Sequence, residues 1–515
     1  MSRRHPGARP PGRLVPLPLV VAATLVTALT LLPVGVVLVT ALGDGWASAY
    51  DQVMRPRVGE LLRNTLALVA VATTTSVVVG VTCAWLVERT RLPGARWWRI
   101  AFVAPLAVPA FVNAYAWISL RPSMTGLFGA SLVTTLSYFP FVFLPVSAAL
   151  RGLDRSWEDT ARSLGHGPWR TFARVVAPQL RPAILGGALL VALHLFAEFG
   201  VLAMVRFPTF TTAILDQYEA AFDTAGGSVL ASLLLALCAL VLVGEHRWRG
   251  RRHHARVGAG VTRRALPAPL GPWLVPALVG TSLLTLLALG VPAYSITRWL
   301  VAGSGSVDIG ALLASLGSTV LLALVAGALA VLAAFPIALV LRRSHGPGGV
   351  LLERLTYLAS GLPGVVVALA LVTVAIRWAP PLYQGPVLLV LAYLVLFLPR
   401  AVVTTRAALA LAPMTLLDAA RALGDGPVRA LRRVVVPLVL PGVLAGFAMV
   451  AIATSTELTA TLLLAPTGTT TLATGFWAAS DSLDYGTAAP YAVVLVVLSA
   501  PLTWLLLREW KAETS

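Results

Sequence analysis

Long apolar runs alternate along this chain with short polar segments that are rich in arginine. A run of about 20 apolar residues is long enough to cross the hydrocarbon core of a bilayer as a helix. We therefore predict about twelve transmembrane helices. They cover roughly 14–42, 61–87, 99–120, 126–150, 183–205, 227–245, 271–293, 310–341, 354–376, 385–411, 442–464 and 489–507.

The composition agrees with an all-α polytopic membrane protein. Of the 515 residues, 58% are hydrophobic and 12% are charged, which leaves no room for a large soluble domain. The net charge is +18, but most of the arginines fall in loops on one side of the predicted membrane. That distribution is the positive-inside bias and does not indicate nucleic-acid binding. We expect a multi-pass protein of the cell membrane with both termini in the cytoplasm.

The two halves of the chain repeat each other. Pro109 corresponds to Pro363 at an offset of 254 residues, and Glu198 corresponds to Glu457 at an offset of 259. Six predicted helices separate corresponding points, so both copies have the same orientation. We predict two parallel six-helix repeats, 1–245 and 271–515, joined by a basic cytoplasmic linker at 246–270. A passage would lie at the interface between such repeats.

One polar loop occurs in both halves, at about 151–182 and 412–441. Each copy reads as a short helix in which an aspartate, Asp159 or Asp418, lies in the first turn, where a carboxylate suits the helix dipole. A glycine, Gly165 or Gly424, ends the helix. The alternative is an amphipathic helix that lies on the lipid headgroups. Since the two copies share their glycine and proline spacing, docking to a partner that is itself present twice is favoured.

The loops resemble the cytoplasmic loop of ABC importer permeases, whose pattern is Glu-Ala-Ala, three residues, Gly, nine residues, Ile-x-Leu-Pro. Both copies depart from it, because Asp replaces Glu, Thr160 replaces the first Ala of copy one, and the Leu before Pro is absent. The resemblance implies a type I ABC importer permease fold, an extracytoplasmic binding protein, and coupling helices that contact an ABC ATPase homodimer. The coupling residues would be Asp159, Thr160, Ala161, Gly165 and Pro178, and Asp418, Ala419, Ala420, Gly424 and Pro437.

The chain contains no recognisable ATP site. A phosphate-binding loop needs a lysine after glycine, whereas the single lysine, Lys511, follows Trp510. No catalytic constellation or cofactor motif is present, so we expect a transport subunit, not an enzyme, with ATP bound by a separate subunit. A twelve-helix secondary transporter stays open as an alternative of another class.

The substrate is indicated by a narrower resemblance. The stretches that begin at Ala197 and Glu457 are similar to the ferric iron branch of fused two-copy permeases. Glu198 and Glu457 are candidate pathway carboxylates, since ferric iron is a hard ion that prefers oxygen ligands and intramembrane carboxylates usually face the protein interior. Each could instead anchor helix packing or contact the binding protein. Thiamine, polyamine, phosphonate or another small solute stays open as the substrate.

Overall fold

The computed structural model describes residues 16–43, 45–153, 155–219, 223–249, 267–303, 308–344, 346–358, 361–412 and 414–512. The regular elements within these ranges are helical, and the one β contact there is an isolated bridge between Thr90 and Ala268. The bridge joins the residues after a long helix to the end of the basic linker. Most of that linker, 250–266, lies outside the described residues.

The helices of the first half are α1 Leu17–Ala41, α2 Trp46–Val53, α3 Pro56–Arg89, α4 Ala95–Val103, α5 Ala110–Leu120, α6 Gly126–Tyr138, α7 Pro140–Gly152, α8 Arg155–Ser163, α9 Pro168–Thr171, α10 Ala177–Ala197, α11 Gly200–Met204, α12 Phe210–Glu219 and α13 Thr224–Arg249. Those of the second half are α14 Leu274–Thr285, α15 Val291–Ala302, α16 Ile309–Arg343, α17 Pro347–Leu358, α18 Gly364–Trp378, α19 Pro386–Ala410, α20 Met414–Ala422, α21 Pro427–Ala430, α22 Val436–Ser455, α23 Thr459–Leu464, α24 Leu472–Asp481 and α25 Tyr485–Ala512.

The all-α polytopic prediction is confirmed, and each of the twelve predicted runs falls on helix. Among the described residues, nine helices are long and apolar enough to cross a membrane. The run predicted at 99–120 is a pair of helices bent by 91°, and the runs at 354–376 and 489–507 correspond to shorter apolar helices.

Equivalent prolines lie where the runs predicted at 99–120 and 354–376 are interrupted. Pro109 precedes α5 and Pro363 precedes α18, and both have an extended backbone, with ψ of 140° and 141°. A proline donates no backbone hydrogen bond and clashes with the preceding turn, so the helix is interrupted there. The single helix predicted at 99–120 is therefore wrong: the segment is α4, a 3₁₀ turn and α5.

The repeat is also visible in the helix boundaries. α8 and α20 begin and end at positions 259 residues apart, and the same offset relates α9 to α21. Each pair is followed by a single π-helical turn, Phe172–Val176 or Leu431–Val435. The duplication therefore extends to an uncommon backbone conformation.

The two halves interlock through their first helices. α1 packs against α16 and α18 of the second half, and the Thr27 hydroxyl bonds that of Thr356 on α17 at 3.3 Å. In the other direction, Ser295 on α15 bonds Ser119 on α5 at 2.8 Å. Each half thus contributes packing surface to the other.

Close helix packing inside each half depends on small residues, as is common in membranes. A Cβ atom at Gly187 on α10 would lie 2.8 Å from Cα of Val142 on α7, whereas one at Gly317 on α16 would meet no atom within 4 Å. We expect Gly187→Ala to lower the free energy of unfolding by about 1–3 kcal/mol, because the two backbones must separate. Gly317→Ala is the matched control. Thermal unfolding in detergent measures both, and equal midpoints would contradict this packing.

Candidate functional site

The duplicated loop helices, α8 and α20, end in the same way. Gly165 has φ of 82° and Gly424 has φ of 92°, the left-handed region that glycine adopts without strain. One residue further, the amide of His166 donates to the carbonyl of Ala161, and that of Asp425 donates to the carbonyl of Ala420, both at 3.1 Å. These are the bonds of a Schellman motif. The prediction that the two glycines end the loop helices is confirmed.

The dipole interpretation of the aspartates is wrong. α8 begins at Arg155, so its first-turn acid is Glu158, and Asp159 lies beyond that turn. α20 begins at Met414 and has no acid in its first turn, which places Asp418 in the second turn. Both loop helices begin four residues before their aspartate, and the repeated sequence pattern contains no residue that indicates this start. Asp159 is exposed.

The other predicted loop residues divide by exposure. Thr160 and Ala419 are exposed, whereas Ala161 and Ala420 are buried, and Ala420 packs against Ala430 later in its own loop. The small buried residue lets the loop helix approach the chain that follows it. The prolines Pro178 and Pro437 are the second residues of α10 and α22, two positions after the π turns Phe172–Val176 and Leu431–Val435.

The coupling residues predicted from the sequence did not include two leucines at the loop tips, although such leucines were expected to give each loop helix a small apolar face. Leu164 is 73% exposed and Leu423 is 89% exposed, and each directly precedes the helix-ending glycine. The signal was available, because an apolar residue occupies the same position in both copies. Each leucine gives its loop an apolar tip. We name this the tip surface; it consists of Ser163 and Leu164 in the first loop and of Ala422 and Leu423 in the second.

The first loop helix is fixed to the membrane helices by a buried ion pair. Arg89 at the end of α3 lies 3.0 Å from Glu158 on α8. Beside it, Glu88 contacts Arg99 at 3.3 Å and accepts a hydrogen bond from Ser147 at 2.6 Å. A buried pair is strongly destabilised when one partner is lost. The pair therefore holds α8 against the end of α3.

The second loop is fixed differently. Arg342 at the end of α16 donates to the carbonyl of Ala412, just before α20, at 2.6 Å. A second charged contact, between Arg406 on α19 and Glu353 on α17, joins the neighbouring helices. The two loops therefore share their shape but not the chemistry of their attachment.

Glu198 and Glu457 lie at helix breaks, so the expectation that they sit inside continuous helices is wrong. α10 ends at Ala197 and α22 ends at Ser455. The Glu198 carboxylate accepts from the amide of Val201 at 2.9 Å, and that of Glu457 accepts from the amides of Ala460 and Thr461 at 3.0 and 3.1 Å. Each carboxylate thus satisfies donors at the start of the short helix that follows it.

Tyrosines support both carboxylates. The Tyr138 hydroxyl donates to Glu198, and the Tyr393 hydroxyl lies 2.8 Å from the Thr461 hydroxyl, which in turn donates to Glu457. Both glutamates are half-buried. Much of their hydrogen-bonding capacity is used within their own halves, which favours the structural alternative.

The breaks meet at the interface between the halves. A Cβ atom at Gly200, two residues after Glu198, would lie 3.1 Å from the side chain of Leu458, the residue after Glu457. Phe199 packs on Trp477 with ring centroids 5.2 Å apart. The structure thus brings the two predicted pathway segments together.

Beside these breaks a cavity of about 440 Å³ opens between the halves. Arg206 and Asp216 line it from the first half, and Trp477 and Asp481 from the second. Within the described residues, no group of three or more His, Cys, Asp or Glu side chains is placed to hold a metal ion. The cavity offers mixed charges, which suit passage or contact better than tight binding of a metal.

A family model described as "Binding-protein-dependent transport system inner membrane component" matches this chain twice, over residues 76–252 and 326–508. Both matches contain one loop helix and one helix break. The chain belongs to this family. The duplication inferred from the offsets is therefore a duplication of the family's unit.

Three similar proteins add detail. The chain is 36% identical over 487 residues to the Fe(3+)-transport system permease protein FbpB 2 of Haemophilus influenzae, covering 92% of this chain and 95% of that protein. It is 25% identical over 425 residues to the ferric transport system permease protein FbpB of Actinobacillus pleuropneumoniae, covering 78% and 61%. The sulfate transport system permease protein CysT of Escherichia coli is 26% identical over 249 residues, which is 44% of this chain but 90% of that protein.

The capping role of Glu198 gives a prediction. Glu198→Ala removes the acceptor for the Val201 amide and the Tyr138 hydroxyl, so we expect it to lower the free energy of unfolding by about 1–3 kcal/mol. Glu198→Gln keeps an acceptor of similar shape and should retain most of the stability. Thermal unfolding of the two variants in detergent separates these outcomes. If Ala and Gln were equally tolerated, the carboxylate would not act as a cap.

Proposed function

We propose that this chain is the transmembrane subunit of an ATP-driven importer that moves ferric iron into the cytoplasm. The observation that carries the proposal is the duplicated loop helix, which supplies two equivalent contact surfaces on a chain of the binding-protein-dependent family. The substrate assignment is supported by similarity to a Fe(3+)-transport permease along 92% of the chain. This assignment favours ferric iron over thiamine, polyamine and phosphonate, which the sequence had left open as substrates.

The driving force would come from an ABC ATPase homodimer on the cytoplasmic side. Each tip surface would insert into one ATPase subunit, with Leu164 or Leu423 at its centre. Closure of the dimer on ATP would pull the two loops together. The Arg89–Glu158 pair would then transmit the movement of α8 to α3. The halves would respond by alternating access around the helix breaks.

Substrate would arrive on an extracytoplasmic binding protein. The cavity lined by Arg206 and Asp481 opens between the halves beside the helix breaks, and we assign it to the receiving side. Its residues come from both halves, so a rearrangement of the halves changes its shape. This arrangement would couple release by the binding protein to opening of the passage.

The ATPase contact predicts a specific mutant phenotype. We expect Leu164→Asp with Leu423→Asp to reduce ATP-dependent uptake at least tenfold. Burial of each leucine would contribute about 1.5–3 kcal/mol to docking, and a buried aspartate would oppose it. The double methionine variant is the control, since it keeps an apolar side chain of similar volume. Co-purification of the ATPase with each variant is the second measurement, and wild-type uptake by the aspartate variant would refute docking at the tips.

The substrate and the energy source can be tested together. The chain is reconstituted in vesicles with its ATPase and binding protein, and uptake of radioactive ferric iron is compared with uptake of thiamine. We expect iron uptake that requires ATP and all three components. Uptake that persists without the ATPase and follows a proton gradient would instead identify a secondary transporter.

A further inference from the structure

An arginine lies deep within the second half. Arg400 belongs to α19 and precedes the end of that helix at Ala410 by ten residues, or about 15 Å at 1.5 Å per residue. Its side chain is exposed. An arginine at this depth in a membrane helix almost always faces the interior of the helix bundle or a water-filled cavity, so we place the guanidinium in an internal opening and not against lipid.

The opening lies against the first half. The Arg400 guanidinium is within electrostatic range of His194, which belongs to α10. The Nδ1 atom of His194 bonds the carbonyl of Leu190 at 2.7 Å. Because a carbonyl only accepts, that nitrogen carries the proton, and the ring is fixed in one orientation. Arg400 and His194 therefore lie near each other although they belong to different repeats.

Arg400 has no acidic partner in the part of the chain that the structure describes. Its guanidinium lies 5.2 Å from the ring centroid of Phe397, a cation–π contact that leaves its charge uncompensated. Neither Glu198 nor Glu457 is within ion-pair distance of it. An unpaired charge at membrane depth is costly and usually marks a functional position.

Comparison of the repeats shows why this guanidinium is uncovered. The position equivalent to Arg400 in the first half is Phe141, which packs on His194 with ring centroids 4.4 Å apart. The counterpart of His194 in the second half is Ala453, whose methyl group cannot cover Arg400. Only the second repeat therefore carries a charge at this position, and the equivalent of the His194 ring is absent beside it.

We propose that Arg400 binds the anionic oxygen group of the transported species. A guanidinium presents a planar fork of donors that matches carboxylate and phosphate oxygens. The proposal rests on the proposed function. A bare trivalent cation would be repelled by Arg400, whereas ferric iron held by hard oxygen ligands would present anionic oxygen to it. Iron would thus pass as a complex with an oxyanion ligand.

Binding to the full-length chain tests this directly. The chain in phosphatidylcholine nanodiscs is titrated calorimetrically with citrate, inorganic phosphate and ferric citrate. We expect at least one of these to bind, Arg400→Gln to weaken it about tenfold or more, and Arg400→Lys to weaken it less. Arg377→Gln is the control, because Arg377 is exposed in the last turn of α18. Equal affinity in Arg400→Gln, or no binding of any probe by the wild type, would overturn the proposal.

A measurement on the wild type does not depend on how the variants fold. Phenylglyoxal modifies accessible arginines, and mass spectrometry reports the extent at each position. Saturating citrate or phosphate should protect Arg400 but not Arg377, and equal modification of Arg400 with and without anion would refute the site.

The outcomes also separate this site from the iron assignment. If the wild type binds anion through Arg400 but imports no iron, the site stands and the substrate is another anion. If the wild type and Arg400→Gln import iron at the same rate with unchanged anion affinity, the site is refuted and the iron function stands.

Discussion

The hydrogen-bonding needs of backbone amides inside a membrane shape the centre of this protein. Where α10 and α22 break, the first amides of α11 and α23 have no partner within a helix. Glu198 and Glu457 provide the acceptors from within the chain. The breaks can therefore exist at the interface between the halves, where a cavity opens beside them.

Duplication explains much of the architecture, and departures from it distinguish the two halves. The loop helices, π turns and helix breaks recur at a constant offset. Their surroundings differ, since Glu158 has its ion pair with Arg89 while the second loop is held by a bond to the Ala412 carbonyl. Arg400, opposite Phe141, is a further departure. A symmetric pair of surfaces suits a symmetric partner, whereas an asymmetric interior suits a substrate that has no symmetry.

Much of the architecture followed from apolar run length and from repeated residues. The twelve runs, the two loops and the glycine caps were all evident, because hydrophobic thickness and the left-handed glycine conformation leave strong local signals. The first-turn position of Asp159 was not correct, since a helix start is set by contacts such as Arg89–Glu158 that join distant segments. The bend at Pro109 was also missed, because proline is equally compatible with a continuous membrane helix.

By itself, the sequence determined that the chain is a duplicated helical membrane protein with two loops of one design, because each of these properties depends on neighbours along the chain. The tertiary structure decided that Glu198 and Glu457 cap helix breaks, that Leu164 and Leu423 are exposed, and that Arg400 lies near His194 of the other half. These depend on which helices meet, and helix packing in a membrane is set by surface shape and small residues, which a linear pattern does not reveal.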